Sequence, residues 1–377
     1  MESVQSADMS EWAANHPGAF YANVERLVKS KGFTWTGKRP LPTVFQDLTE
    51  VVDGNLVGDL EEVALSIQNE QVAEHWAGVL EWVKARCHDI KPEWKCYSGI
   101  VSGPPGCGKS SLVKELLASG DNLLLLVPFQ RMVTVDYQGL DNVMTLVDFI
   151  LRPVTLLKYH AVLVDEYTLV NMALLFCVLA VEGINNLVCF GDSGQASVQG
   201  YGEAKFYKLP VLATSSTTHR LSTEGLKLYN LAMGTNLTTT SSNVGGVDFM
   251  PLEGACIPDD YAVLCATNQG LKMLEEEGIE ARCCLDVQGC TFDNVAVVVL
   301  DSEVNDVKKR CVRSVLLSRQ LGHVLLVCES ATTACMLQDS TVLEQYPRPG
   351  YTTQNVEPAR SFWSKWFGSG VREDNFQ

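Results

Sequence analysis

The spacing of apolar residues changes character near Trp94. From Asp59 to Cys87, Val63, Ile67, Val72, Trp76, Val79, Leu80 and Val83 recur at helical spacing among many Glu, which predicts one or two amphipathic helices. Beyond Trp94, short apolar runs end in Gly, Pro or Asp, and each is followed by a helical or loop segment. Ser98–Ser102, Asn122–Val127, His160–Val164 and Asn186–Phe190 read as buried parallel strands. The same grammar returns after the Ser/Thr-rich stretch Thr214–Thr218, with Tyr261–Ala266, Asn294–Leu300 and His323–Cys328 as strands and Thr238–Gly246 as an exposed loop. The pattern predicts an α/β protein with a helical N-terminal region over 1–95, a first α/β domain over 96–213, a second over 214–344, and a tail over 345–377 broken by Pro347, Pro349 and Gly350.

Composition supports a globular chain of more than one core, since 377 residues with 46% hydrophobic and 20% charged positions exceed what one core holds. Its 13 cysteines include no Cys-x-x-Cys pair, and Cys177, Cys189 and Cys328 lie inside apolar runs, so they read as reduced core residues rather than zinc ligands or a disulfide framework. The start, Met1–Ala14, is polar, and the longest apolar run, Met172–Val181, is too short to cross a bilayer, which gives an expectation of a cytosolic protein with no transmembrane segment.

The net charge of −16 argues against nucleic-acid binding over the whole surface, because phosphate affinity comes from Lys and Arg. Charge is unevenly spread, however. Lys308, Lys309, Arg310 and Arg313 form a basic run, either a nucleic-acid contact or a solvated face, whereas Glu275, Glu276, Glu277 and Glu280 read as a solvated acidic face.

The chemistry is concentrated in Gly103-Pro104-Pro105-Gly106-Cys107-Gly108-Lys109-Ser110, which fits G-x-x-x-x-G-K-[ST] between a predicted strand and the helical pattern Ser111–Ala118. Glycines let backbone N–H groups wrap a phosphate, and the following helix adds its positive end. Lys109 is expected to reach the β- and γ-phosphates of ATP, and the Ser110 hydroxyl to ligate Mg²⁺. Downstream, Ala161–Val164 ends in Asp165 and Glu166. One carboxylate can hold the Mg²⁺ shell and the other polarise the attacking water.

Further strings follow in an ordered series. Gly191-Asp192-Ser193-Gly194-Gln195 ends a third strand, and at this place resembles motif III of superfamily 1 helicases, where the Gln senses the γ-phosphate. Thr218-His219-Arg220 resembles the viral helicase motif IV, Val287-Gln288-Gly289-Cys290-Thr291-Phe292 motif V, and Leu317-Ser318-Arg319 motif VI. The order of these strings from about Gly103 to Val327 makes the chain similar to superfamily 1 viral RNA helicases. The resemblance implies two tandem RecA-like domains that clamp ATP, with Lys109 on one and the arginine fingers Arg220 and Arg319 on the other. It also implies that Ser111, Gln288 and Gly289 border the nucleotide, and that single-stranded RNA lies across both domains with Arg131 and Thr291 as candidate contacts. Val127–Arg131 matches motif Ia loosely, and Val287 stands where many relatives have Ser or Thr.

Within that family, Asp165-Glu166-Tyr167-Thr168-Leu169 and the Val-x-Gly-x-x-Phe of motif V resemble the first triple-gene-block movement proteins of plant RNA viruses. A start at Met1 with no fused capping or polymerase region suits a stand-alone movement helicase. Two alternatives stay open: the helicase domain of a viral replicase, and an RNA-binding movement factor with ATPase but little unwinding. The movement reading implies host cytoplasm, recruitment to membranes and plasmodesmata, and membrane-bound viral movement proteins as partners; a homo-oligomer also stays open. Longer relatives bind RNA through an N-terminal extension, but Met1–Lys95 here carries nine Lys or Arg against fifteen Asp or Glu. In the tail, Ser361–Phe367 groups four aromatics around Lys365, either a docking segment or a flap over the second domain.

Overall fold

The computed structural model describes residues 17–44, 70–86, 89–119, 122–151, 159–192, 209–284, 286–287 and 289–343. Two sheets organise these residues. The first contains β1 (Thr34–Trp35), β2 (Leu41–Val44), β3 (Lys95–Ser102), β4 (Leu123–Val127), β5 (Val143–Thr145), β6 (Ala161–Val164), β7 (Asn186–Gly191) and β8 (Val211–Thr214) in the order β1-β8-β3-β7-β6-β4-β5, with β2 also on β3. All its pairings are parallel except those of β1 with β8 and of β2 with β3. A short ribbon of β9 (Thr217–Thr218) and β10 (Thr238–Thr239) follows. The second sheet is parallel throughout, with β11 (Gly246–Pro251), β12 (Tyr261–Cys265), β13 (Arg282–Cys283), β14 (Asn294–Val299) and β15 (His323–Cys328) in the order β11-β15-β14-β12-β13.

The strands read from apolar runs therefore lie where expected, because central parallel strands are buried on both faces and carry unbroken apolar sequence. Leu123–Val127, Ala161–Val164 and Val295–Val299 are buried at every position. The helix Met172–Glu182 between β6 and β7 has the same property: Met172–Ala180 are all buried, as a helix apolar on every side must be. Asn171 caps it by accepting from Leu174 N (2.8 Å), and Gly183 ends it with φ 71°.

The N-terminal region departs from expectation. It is not a separate helical layer: β1 and β2 extend the first sheet, and the helix Pro17–Ser30 buries Phe20, Tyr21, Val24 and Val28 in the same core as Leu112, Val113 and Leu116. The Tyr21 hydroxyl donates to the carbonyls of Tyr97 and Leu187, both at 2.8 Å, and so joins that helix to two central strands. These strands escape periodicity because β1 has two residues and β2 four, and Pro42 confines β2 to an edge. The helix Glu70–Arg86 lies within the predicted amphipathic stretch and supplies Val79, Leu80 and Val83 to the opposite core of the first sheet.

Candidate active site

The site forms where β3, β6 and β7 end at their carboxyl edge, the position at which open α/β sheets hold ligands. From Ser102 the chain turns through the glycine-rich loop into the helix Lys109–Ala118. Its glycines are required by geometry. Gly106 and Gly108 have φ 73° and 91°, and a Cβ on Gly106 would lie 2.4 Å from Arg220 Cβ. At Gly103 a Cβ would lie 2.5 Å from Cys107 Sγ. Because Gly108 is the N-cap, no side chain covers the first-turn N–H groups of the ten-residue helix, which leaves an anion cradle. Pro104 and Pro105 are buried, whereas Ser111 is exposed.

Lys109 is buried, and its Nζ donates to the carbonyls of Gly103 (2.8 Å) and Pro104 (3.1 Å), with Cys107 Sγ at 3.8 Å. Burial opposes its charge, but Cys107, Glu166, Asp192 and Asp165 outweigh that and hold its pKa above the ordinary lysine value. The ammonium therefore lies folded across the loop, charged, among the groups that would receive a phosphate.

The acidic pair is tightly organised. Asp165 is fully buried; its Oδ2 accepts from Ser110 Oγ (2.8 Å) and from the Tyr137 hydroxyl (2.5 Å), and its Oδ1 accepts from Glu166 N (3.1 Å). Glu166 has φ 51°, the only positive φ outside glycine among the described residues. That strained turn aims its carboxyl inwards. The residue as a whole is partly exposed, yet Oε2 is buried with no hydrogen-bond partner among the described residues. Burial first, and Asp165 second, push its pKa above the usual carboxylate value, against the pull of Lys109 and Arg319. A buried acceptor left unmade beside a hydroxyl-carboxylate pair and an empty-handed helix N-terminus is what a metal-bound phosphate and an attacking water would complete.

Two arginines arrive from later in the chain. Arg319 is 1% exposed and donates to the carbonyls of Val315 (3.2 Å) and Cys290 (3.4 Å) and to Ser318 Oγ (2.9 Å). Burial and the charge of Arg220 lower its pKa to about 10, with Glu166 opposing. Arg220 donates to the Ser318 carbonyl (3.3 Å), and burial lowers its pKa too. The stretch that bears Arg220 is also stitched to the glycine-rich loop: Thr218 Oγ1 donates to the Pro105 carbonyl (2.8 Å) and His219 N to that of Gly106 (2.8 Å).

Across the same cleft, Arg131 Nη1 donates to Cys290 Sγ (2.6 Å), and Gly289 (φ 86°) passes beneath Arg131 so closely that a Cβ would lie 3.3 Å from Nη2. Thr291 is exposed, and Phe292 N donates to the Arg319 carbonyl (2.8 Å), which joins the two strings bearing Thr291 and Arg319. Gln195, Gln288 and the aromatic tail lie outside the described residues.

The basic run needs correction. Arg313 is 0% exposed, and its guanidinium donates to the carbonyls of Val307 (3.0 Å), Ala232 (3.2 Å) and Asp339 (2.9 Å). It staples the ends of three segments and offers nothing to a nucleic-acid backbone. Arg310 donates to the Met233 carbonyl (3.0 Å), Lys309 pairs with Asp306 (2.6 Å), and Lys308 reaches Asn305 Oδ1 (3.4 Å). Only burial distinguishes Arg313 from its neighbours, and sequence proximity conceals it. Tyr137 was missed altogether, since it belongs to no recognised string.

The family model for the viral superfamily 1 RNA helicase core domain matches residues 99–328, more than half the chain. The chain belongs to the viral superfamily 1 RNA helicases. Movement protein TGB1 of Beet necrotic yellow vein virus (isolate Japan/S) is 29% identical over 321 residues, covering 82% of this chain and 81% of that protein. Movement protein TGB1 of Peanut clump virus (isolate 87/TGTA2) is 29% identical over 217 residues, 57% of this chain and 47% of that protein, so the chain spans about half of this second relative. Among solved structures, Arterivirus nonstructural protein 10 (helicase) aligns with a TM-score of 0.47 at 17% identity, over 68% of this chain and 63% of that one. No helix among the described residues is long and apolar enough to cross a membrane.

Proposed function

We propose that this protein is an ATP-hydrolysing RNA helicase of a plant RNA virus, built as two tandem RecA-like domains, that binds single-stranded viral RNA and supports cell-to-cell movement. The observation that carries the reading is the Ser110 Oγ–Asp165 Oδ2 contact of 2.8 Å beside the unpartnered Glu166 Oε2, in a chain of the helicase family. The movement role rests on similarity to movement protein TGB1 across 82% of the chain.

In this reading the backbone from Gly103 to Ser111, with Lys109, holds the phosphates of ATP, and Lys109 exchanges its loop carbonyls for phosphate oxygens. Ser110 and Asp165 would hold Mg²⁺, which would neutralise charge on the phosphates. Glu166 takes a proton from the attacking water, a role that a carboxylate with a raised pKa suits better than an ordinary one. Arg220 and Arg319 meet charge that develops in the transition state, Gln195 senses the γ-phosphate, and Gln288 and Gly289 border the nucleotide. Arg131, Thr291, Lys308, Lys309 and Arg310 are candidate RNA contacts, with the host cytoplasm and membrane-bound viral movement proteins as the setting.

The decisive experiment measures ATP hydrolysis with and without single-stranded RNA, together with strand separation, for wild type and Lys109→Ala. Hydrolysis stimulated by RNA and coupled to unwinding, absent in the variant, is expected. Hydrolysis without unwinding would favour an RNA-binding movement factor, and its absence in the wild type would overturn the proposal. A replicase helicase is the second reading, favoured by 25% identity over 247 residues with the Replicase of Beet necrotic yellow vein virus, which spans 12% of that protein.

A further inference from the structure

Asp165 has a neighbour that no sequence motif supplies. Tyr137 is 1% exposed, within the core beside the helix Lys109–Ala118, and its hydroxyl donates to Asp165 Oδ2 at 2.5 Å, the same oxygen that Ser110 Oγ approaches at 2.8 Å. The residue is held at its backbone and against one face of its ring. Lys114 Nζ lies 5.4 Å from its centroid, Tyr137 N donates to the Met132 carbonyl (2.9 Å), and Leu140 N donates to the Tyr137 carbonyl (3.2 Å). A buried phenol this constrained holds the carboxylate in one orientation, with Oδ1 tied to Glu166 N on the other side.

We infer that Tyr137 is a positioning residue for the divalent-cation half of the nucleotide site: it orients Asp165 so that Asp165 and Ser110 present their oxygens together. This rests on the nucleotide-binding reading proposed above. Its position also carries a second consequence. Tyr137 ends the five-residue π-helical segment Met132–Asp136, and Arg131 at the other end of that segment reaches Cys290 on the far side of the cleft. The phenol on the metal-holding carboxylate and the guanidinium on the opposite wall thus belong to one short, hydrogen-bonded piece of backbone.

The test is Tyr137→Phe, which keeps the ring and deletes only the donor. Two readouts are needed: affinity for a fluorescent ADP in EDTA and across a Mg²⁺ series, and the Mg²⁺ concentration for half-maximal ATP hydrolysis. Loss of an outer-shell partner of a metal ligand costs about ten- to a hundredfold in metal affinity. The variant should need that much more Mg²⁺ in both assays, with ADP affinity in EDTA and melting temperature unchanged, and Mn²⁺, which binds such oxygen sites more tightly, should restore it. In an Asp165→Asn background the same change should have no further effect on the Mg²⁺ series. An unchanged Mg²⁺ dependence, or equal weakening in EDTA, would overturn the positioning role while leaving the nucleotide site standing. A wild type that binds no ADP under any condition would overturn both. Should Tyr137→Phe melt early, a Mg²⁺-linked loss confined to temperatures below its transition still supports the role, and loss without metal linkage sinks it.

Discussion

Glu166→Gln should make the protein more stable and inactive at once. The Glu166 carboxyl has a buried oxygen with no partner, next to Asp165, and its ionised form is disfavoured by burial. Glutamine keeps the shape and removes the charge. Removing the charge removes the cost of burying it, about 1.4 kcal/mol for each unit by which the folded pKa exceeds the unfolded one, and each kcal/mol raises the melting temperature by roughly 2–4 °C for domains of about 150–250 residues. Loss of a general base lowers turnover by about 10²–10⁴. The sign with pH follows from linkage. The folded pKa lies above the unfolded value of about 4.3, so the folded state binds the extra proton, and the cost of the carboxylate grows as pH rises through that window. The stability advantage of the variant should therefore be full above the raised folded pKa and vanish as pH falls towards about 4.3. Differential scanning calorimetry of both proteins from acid to mildly alkaline pH reads this directly. A variant less stable than wild type at neutral pH, or an advantage that grows on acidification, would refute the reasoning.

Three further outcomes are expected. Lys109→Ala should lower hydrolysis by orders of magnitude, and near-normal turnover in the folded variant would displace it from the phosphate site. Arg319→Ala should lower single-turnover rates much more than nucleotide affinity, checked by titration beside quench-flow, because a transition-state contact acts on rate. Arg313→Ala should destabilise in urea unfolding, by about 1–3 kcal/mol for each buried carbonyl left without its donor, and should leave the salt dependence of RNA binding unchanged until it unfolds.

The central strands and the glycine-rich loop were legible in the sequence for one reason: burial on both faces and phosphate binding each demand particular residues at consecutive positions, as in Leu123–Val127 and Gly103–Ser110. Contacts between distant positions leave no such local trace. Nothing in Pro17–Ser30 announces that Tyr21 will bond the Leu187 carbonyl, and a two-residue strand such as Thr34–Trp35 carries no period. The edge strand Gly246–Pro251, exposed at Phe249, lacks the apolar run of its neighbours, and only its first residue, Gly246, falls in the stretch that reads as an exposed loop. Charge was the weakest guide. Arg313 and Lys308 look alike in the string but differ in the fold, because one spends its donors on buried carbonyls.

The stitching of Thr218 and His219 to the glycine-rich loop gives the two arginines different allegiances. Arg220 comes one residue after the His219 contact with the loop, and its own Cβ fills the space that a side chain at Gly106 would need, so its backbone is held against the loop. Arg319 is rooted instead in the helix Arg310–Leu316 and in the loop before β14, through the carbonyls of Val315 and Cys290. On the proposed reading, the Arg220 contact with the carbonyl of Ser318, the residue just before Arg319, couples the arginine tied to the glycine-rich loop with the one tied to the later helix.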